Sequence, residues 1–108
     1  MASNENMVEA NDTNFADEVL ASELPVLVEF SATWCAPCRV LAPVVERLAA
    51  ELAGQVKVVV MDLDASPRTS ARYGVRGAPT LLVFRGGERT AQHLGVTSKE
   101  RLRALVGV

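Results

Sequence analysis

The sequence predicts an α/β fold in which helices cover both faces of a single mixed sheet. Short apolar runs rich in branched residues alternate with helical segments, a pattern typical of parallel strands joined by helices. Later in the chain, a Gly-Gly pair at positions 86 and 87 separates two strand candidates and predicts an antiparallel hairpin. Together these patterns predict the order βαβαβαββα.

Length and composition fit one folded domain covering residues 1–108, with a flexible start over residues 1–6. The chain has 108 residues, of which 49% are hydrophobic and 22% charged, so it can build a core without metal or disulfide support. The formal net charge of −2 provides no general attraction to nucleic acid or anionic lipid. The nine arginines are scattered along the chain, which also argues against a nucleic-acid patch.

The first elements that the sequence patterns place at particular residues are a short helix and a buried strand. Residues 11–13, Asn-Asp-Thr, offer N-cap chemistry to a helix with Phe15, Val19 and Leu20 on one side. Residues 25–28 form a nearly continuous apolar run, which is typical of a strand covered on both faces.

A long helix follows the first buried strand. From Cys35 onward, apolar side chains repeat every fourth residue, and Gly54 provides the stop. Pro37 falls in the first turn, where it is tolerated, whereas Pro43 lies inside and is expected to kink the helix. Residues 57–61 predict a second buried strand, so this part of the chain is a right-handed βαβ unit.

The second half of the chain begins with another short helix. Ser66 is predicted as its N-cap and Pro67 as its first residue, with the end at Tyr73 and Gly74. Residues 80–84 and 89–94 are the hairpin strands. Residues 97–100, Thr-Ser-Lys-Glu, form a capping-box pattern for a last helix. The inward-facing side chains of that helix are Leu102, Leu105 and Val106.

Both cysteines of the chain lie in one four-residue window, between the end of a strand and the start of the long helix. Chemistry in α/β sheets is usually placed at this type of junction. The free N–H groups of a helix start stabilise a thiolate, so we expect a lowered pKa for Cys35. Cys38 lies almost one turn further on, within disulfide reach. The spacing predicts an exposed nucleophile at Cys35 and a protected resolving thiol at Cys38.

Three other interpretations of the cysteine pair remain open at this point. A zinc site needs about four ligands, and the chain has no second cysteine pair and only one histidine, His93. A purely structural disulfide closing so short a loop adds little stability. Two unreactive core cysteines are the third interpretation. Asp62 and Asp64 share a strand face, but they are explained more simply as a solvated strand end than as metal ligands.

Residues 30–38, Phe-Ser-Ala-Thr-Trp-Cys-Ala-Pro-Cys, resemble the active-site segment of thioredoxins. Residues 64–67, 73–81 and 84–87 and the region of Gly95 also follow thioredoxin order and spacing, so the resemblance extends from about residue 7 to the end. It implies the thioredoxin fold, a central mixed sheet of about five strands flanked by four helices. It also implies dithiol–disulfide exchange.

By this resemblance, Cys35 attacks a disulfide in a target protein, and Cys38 then attacks Cys35 to release the reduced target. Trp34 contributes to an apolar docking face beside the dithiol, its alternative being an ordinary core aromatic. Ala36 and Pro37, between the cysteines, belong to the same substrate-binding surface.

The resemblance also assigns residues opposite the cysteines. Pro79 matches the family's cis-proline, and the backbone at Ala78 pairs with the substrate. Gly77, Ala78, Leu94 and Gly95 complete a shallow apolar groove. The alternative for these groove residues is ordinary turn chemistry.

Glu29 stands at the position of the family's buried aspartate, which exchanges protons with the resolving thiol. Thioredoxins usually place a lysine near that acid, and the matching position here is Val60. Because burial without a cation disfavours the charged form, we expect the pKa of Glu29 to be raised so that it holds a proton near neutrality. The alternative is a glutamate at an exposed edge.

Two further positions differ from the usual family pattern. Ser31 replaces a common tryptophan, and Ala36 replaces the usual glycine between the cysteines. Alanine favours the helical conformation over glycine, so a shift in redox potential is expected. A histidine between the cysteines would stabilise the thiolate and favour an oxidant. Pro37 occupies that place here, so the sequence favours a reductant.

The sequence therefore predicts a protein-disulfide reductase that binds no cofactor, with NADPH involved only indirectly through a thioredoxin reductase. We expect disulfide-containing client proteins as partners, no nucleic acid and no membrane, and a monomer. The polar amino terminus lacks a secretory pattern, which predicts a cytoplasmic location. The alternative functions are a thioredoxin-fold binding or chaperone module with dispensable cysteines, and a disulfide oxidase or isomerase.

Overall fold

The computed structural model describes residues 5–108, which form five strands and four helical segments in the predicted order βαβαβαββα. The expectation of a flexible start concerns residues 1–6, of which 1–4 lie outside the described part of the chain. The strands are β1 (Met7–Ala10), β2 (Val26–Ser31), β3 (Lys57–Asp62), β4 (Thr80–Arg85) and β5 (Glu88–Leu94). The helical segments are a π-helical turn (Ala16–Leu20), α1 (Ala36–Glu51), α2 (Pro67–Tyr73) and α3 (Lys99–Val106). No helix within residues 5–108 is long and apolar enough to cross a bilayer.

The five strands form one mixed sheet in the order β1-β3-β2-β4-β5. Strands β1 and β2 both pair in parallel with β3, whereas β4 pairs antiparallel with β2 and β5 antiparallel with β4. This arrangement confirms the predicted mixed sheet. It also places β2, the strand that leads to the cysteines, at the centre.

Each face of the sheet has its own core, because successive strand residues point to opposite faces. On one face, Leu27 and Leu81 pack with α1 and α3. On the other, Phe30 and Phe84 pack with side chains from the π-helical turn, and Tyr73 of α2 packs against the same cluster. The prediction of helices on both faces is confirmed.

The cap hydrogen bonds differ from the prediction at the start of the π-helical turn and at the start of α2. Residues 11–13 do not cap the π-helical turn, whose N-cap position is Phe15 and has no side-chain cap. Asp12 instead accepts hydrogen bonds from the backbone N–H groups of Arg68 (3.0 Å) and Thr69 (2.9 Å), and from the Thr69 hydroxyl (2.7 Å). Ser66 occupies the N-cap position of α2 as predicted, but its hydroxyl accepts no cap hydrogen bond, because Asp12 from a distant loop supplies the acceptor.

The other helix boundaries agree closely with the sequence patterns. Helix α1 is continuous through Pro43, with Cys35 as its N-cap residue. It ends at Glu51 with Leu52 as the C-cap, two residues before Gly54, the predicted stop. The N-cap of α3 is Ser98, whose hydroxyl accepts from the N–H of Arg101 (3.1 Å), one residue later than a box starting at Thr97.

The hairpin turn at positions 86 and 87 is confirmed, since both glycines have positive φ, 56° and 83°. A β-bulge follows it. Phe84 pairs with Arg89 and Val83 with Ala91, so Thr90 has no partner on β4. The bulge places Arg89 on the same sheet face as Gln92, although an uninterrupted strand would put them on opposite faces.

Candidate functional site

Cys35 and Cys38 form a disulfide at the point where β2 gives way to α1. Their Cα atoms are 5.3 Å apart, as expected for two residues three positions apart at the start of a helix. Cys35 has extended backbone geometry at the N-cap position, whereas Cys38 lies within the helix. Strand β2 leads the chain to Cys35, and the first turn of α1 holds the Cys38 sulfur next to the Cys35 sulfur.

The sulfur of Cys35 lies among polar backbone groups. The N–H of Cys38 donates to it at 3.2 Å, in the way that a cap oxygen would accept from a helix start. The carbonyl oxygen of Ala78 lies 3.3 Å from the same sulfur on the opposite side. An N–H directed at sulfur favours the thiolate, so the geometry supports a nucleophile at Cys35 once the disulfide is reduced.

The expectation that Cys35 is exposed is wrong for this disulfide form. Cys35 is 2% exposed and Cys38 is 4% exposed, and both pack with Ala32 and Ala78 in a small apolar cluster. Ala78 packs against the cluster and, with Ala32, encloses the disulfide. The expected protection of Cys38 is present.

The Ala78–Pro79 peptide bond is cis, as the resemblance implied. The carbonyl of Pro79 accepts from the N–H of Gly95 at 2.8 Å, which joins the proline loop to the end of β5. At Gly77 an added Cβ would lie 3.9 Å from the Cδ1 atom of Leu94, and Leu94 is 71% exposed. The structure therefore brings the four predicted groove residues together beside Cys35.

Trp34 is on the surface, which excludes the alternative of a core aromatic. It is 61% exposed, and its indole N–H donates to a carboxylate oxygen of Asp64 at 2.7 Å. Asp62 in turn accepts from the backbone N–H groups of Asp64 (2.8 Å) and Ala65 (3.2 Å), which closes the turn after β3. The sequence predicted the solvated strand end but not the bond that orients the indole ring. Ala36 and Pro37 are exposed on the first turn of α1.

Glu29 lies in the middle of the central strand and is only 3% exposed, so the edge-exposed alternative is excluded. Its register partners are Val60 on β3 and Leu81 on β4. No ion pair or side-chain hydrogen bond joins Glu29 to another described residue. Desolvation raises the pKa of Glu29 to about 7, with a further contribution from the negative charge of Glu46.

The influence of Glu46 was not visible in the sequence. Glu46 lies in α1 on the turn after Pro43, and its approach to Glu29 depends on how α1 crosses the sheet. The only available signal is that α1 packs on the face to which Glu29 points. Ser31, at the end of β2, is buried, and its carbonyl accepts from the N–H of Leu63 at 2.8 Å.

Within the part of the chain that the structure describes, no three histidine, cysteine or acidic residues lie close enough together to hold a metal ion. His93 lies on β5, at the register position opposite Leu81.

Comparisons with known proteins agree with this geometry. The family model described as "Thioredoxin" matches residues 6–107. A thioredoxin from Synechocystis sp. is 46% identical over 94 residues, which cover 87% of this chain and 88% of the relative. A thioredoxin from Allochromatium vinosum is 45% identical over 102 residues, covering 94% and 95%. Thioredoxin C-2 from Corynebacterium nephridii is 44% identical over 100 residues, covering 93% of each chain.

Thioredoxins are thiol–disulfide oxidoreductases that use a redox-active disulfide and bind no cofactor. The present structure carries such a pair at a helix start, with a cis-proline segment against it. The mixed sheet and its four helices are those of the thioredoxin fold. The chain therefore belongs to the thioredoxin family and is a protein-disulfide reductase.

Proposed function

We propose that Cys35 is the attacking residue of this reductase and that Cys38 is the resolving residue. The Cys35 thiolate attacks one sulfur of a client disulfide, whose S–S bond breaks and whose second sulfur leaves as a thiolate. A mixed disulfide then joins Cys35 to the client. The Cys38 thiolate attacks the Cys35 sulfur, which forms the Cys35–Cys38 disulfide and releases the client as a dithiol. Two electrons pass from the protein to the client, and two protons complete the client thiols.

The observation that carries this assignment is the N-cap position of Cys35. The backbone N–H of Cys38 donates to the Cys35 sulfur at 3.2 Å, whereas Cys38 is enclosed by its own helix. A donor directed at one sulfur stabilises negative charge on that sulfur. The short Cα separation makes the resolving step intramolecular and therefore fast.

We assign the proton exchange with Cys38 to Glu29. Its raised pKa of about 7 means that it holds or releases a proton near neutral pH, which is the range in which a general acid and base is most effective. The protonated form is needed when Cys38 leaves as a thiolate during reduction of the protein. The ionised form is needed when the Cys38 thiol is activated for resolution.

The client is held by the groove next to the disulfide. Pro79 fixes the loop, and Ala78 offers its backbone to an extended client segment. The other contacts in this proposal come from Trp34, Ala36, Pro37, Gly77, Leu94 and Gly95. The exposed Trp34 and Leu94 side chains supply the apolar contact area.

Membership of the family implies disulfide-containing client proteins and a thioredoxin reductase as partners. We propose that the protein is a monomer that works in the cytoplasm. A reducing dithiol is maintained where the surrounding thiol pool is itself reducing, as in that compartment. Electrons from NADPH reach this chain only through the reductase.

The test is reduction of a protein disulfide by wild type, Cys35→Ser and Cys38→Ser. We expect no turnover with either variant, and a trapped mixed disulfide with the client only for Cys38→Ser, detected by non-reducing electrophoresis. Reduction that persists in Cys35→Ser would contradict the assignment. Ala53→Ser, at an exposed position that lines no described cavity, serves as the control for introducing a serine hydroxyl. Net oxidation of dithiols by wild type in glutathione buffer would instead favour an oxidase or isomerase.

A further inference from the structure

The arginines of the chain are concentrated, which corrects the sequence-based view that they are scattered. Between positions 66 and 94 the chain has five arginines and one acidic residue, although its overall net charge is −2. These arginines are Arg68, Arg72, Arg76, Arg85 and Arg89. This part of the chain comprises α2, the cis-proline loop and the hairpin, so the excess positive charge lies in the elements on either side of Ala78 in the chain.

One of these arginines lines a cavity, and two others lie against Tyr73, a residue of the cavity wall. The cavity has a volume of about 250 Å³ and lies between the end of α2 and strand β5. Arg76 lines it directly, and so does Tyr73. The guanidinium groups of Arg72 and Arg89 lie 5.1 and 5.5 Å from the centre of the Tyr73 ring.

The position of Arg89 depends on the β-bulge at Thr90. Without the bulge, Arg89 would lie on the opposite face of the sheet from Gln92, which lines the cavity. Arg89 also donates to the carbonyl of Tyr73 at 2.8 Å, which anchors its side chain at the cavity rim. The bulge thus adds a positive charge to the cavity side.

Within residues 5–108, none of Arg72, Arg76 and Arg89 forms an ion pair. The described ion pairs use Lys57, Lys99 and Arg103 instead. Glu88 is adjacent to Arg89 in the strand, so its side chain points to the other face. The three guanidinium groups are therefore available to an acidic partner, unlike Arg68, which lies near Asp12.

The cavity adjoins the disulfide site through the cis-proline loop. Gly77 and Leu94 line the cavity. Gly77 directly precedes Ala78, whose carbonyl oxygen is 3.3 Å from the Cys35 sulfur. A client segment that presents a disulfide to Cys35 can therefore extend into the cavity with its neighbouring residues.

We propose that Arg72, Arg76 and Arg89, with the adjoining cavity lined by Tyr73 and Arg76, form a docking surface for an acidic segment adjacent to the disulfide of a client protein. We call this the arginine surface. The inference rests on the proposed function and adds a substrate class to it. Arginine pairs with carboxylates through two parallel hydrogen bonds, and exposed pairs of this type each contribute modestly to binding. Complementary charge also speeds the encounter at low salt.

The test uses two synthetic peptides with the same disulfide, one flanked by three glutamates and the other by three glutamines. Pre-reduced protein is mixed with each peptide, and the second-order rate constant for the single round of peptide reduction is measured by chromatography. We expect the acidic peptide to react roughly tenfold faster at low salt, from three modest charge pairs. The ratio of the two rates should approach one at about 0.5 M salt, because screening is strong there.

Variants locate the effect on the molecule. In Arg72→Gln/Arg76→Gln/Arg89→Gln the ratio should fall towards one, and in Arg76→Gln alone it should fall part of the way. Arg76→Gln keeps the test valid if the triple variant does not fold, because Arg76 has no described hydrogen bond or ring contact. The matched control is Arg47→Gln/Arg101→Gln, which removes exposed arginines from α1 and α3 and should keep the ratio.

The possible outcomes separate the two hypotheses. Failure of wild type to reduce either peptide contradicts the proposed function. Equal reduction of both peptides by wild type overturns the arginine surface and leaves the reductase intact. A ratio that falls equally in the control variant also overturns it, because general charge then explains the preference. Displacement of the acidic peptide by single-stranded DNA at a lower concentration than by polyglutamate would assign the surface to nucleic acid instead.

Discussion

The buried carboxyl of Glu29 makes the stability of the protein depend on pH, and Glu29→Gln should remove that dependence. The pKa of Glu29 is about 7 in the folded chain and 4.5 for a glutamate in water. Between these values the folded state keeps a proton that the unfolded state has lost. Stability therefore falls as pH rises through this range, by up to about 3 kcal/mol above pH 7.

Below about pH 4.5 the penalty is absent, because Glu29 is protonated in both states. In Glu29→Gln the group cannot ionise, so the variant should exceed wild type in free energy of unfolding at pH 8 by up to about 3 kcal/mol. At pH 4 the two should be nearly equal. The difference between the proteins isolates Glu29 from all other titrating groups.

The assay is urea denaturation of the oxidised proteins from pH 4 to pH 8, with ¹³C NMR titration of the Glu29 carboxyl as a direct measurement. Glu46→Gln is the matched control, since it removes the smaller of the two causes and should lower the Glu29 pKa only in part. Titration of Glu29 below pH 5, or identical pH profiles for wild type and Glu29→Gln, would refute the reasoning.

Three further predictions concern single positions. Val60→Lys places a cation at the register partner of Glu29 and should lower the Glu29 pKa, measured by the same NMR titration; an unchanged value would show that the lysine turns away. Asp12→Ala removes the acceptor at the start of α2 and should lower the thermal midpoint at pH 7. The pKa of Asp12 is lowered in the folded state, so its carboxylate stabilises the fold above its titration range and not below it. The difference in thermal midpoint between the variant and wild type should therefore shrink in acid. Leu102→Ala, at a fully buried site of α3, should cost about 2–5 kcal/mol in urea denaturation, and a loss below about 1 kcal/mol would indicate that the site collapses.

Most of the fold was predictable because its signals are local. Gly86 and Gly87 mark the hairpin, and the four-residue apolar repeat after Cys35 marks α1. The N-cap position of α2 at Ser66 was predictable, but the acceptor there was not, because Asp12 is 56 residues away from Arg68. A side chain that acts across the fold leaves no pattern in the sequence around it.

In the candidate site, too, residues in local motifs were predictable and contacts between distant residues were not. The two cysteines were identified from their spacing, and Pro79 and the groove residues were assigned from the resemblance to thioredoxins. The burial of Cys35 was missed because it depends on the Ala78 segment packing against the sulfur. The contribution of Glu46 to the Glu29 pKa, and the bulge that brings Arg89 to the cavity side, depend on packing and strand register.

The position of β1 has a consequence for synthesis of the chain. Its partner is β3, and Met7 pairs with Val58, so the first strand is made long before the strand that completes it. At about 5–20 residues per second, translation of the intervening residues takes several seconds. During that time β1 has no edge to join, and Asp12 has no helix to cap. The amino-terminal segment is therefore expected to stay unpaired on the ribosome until β3 and α2 have been made.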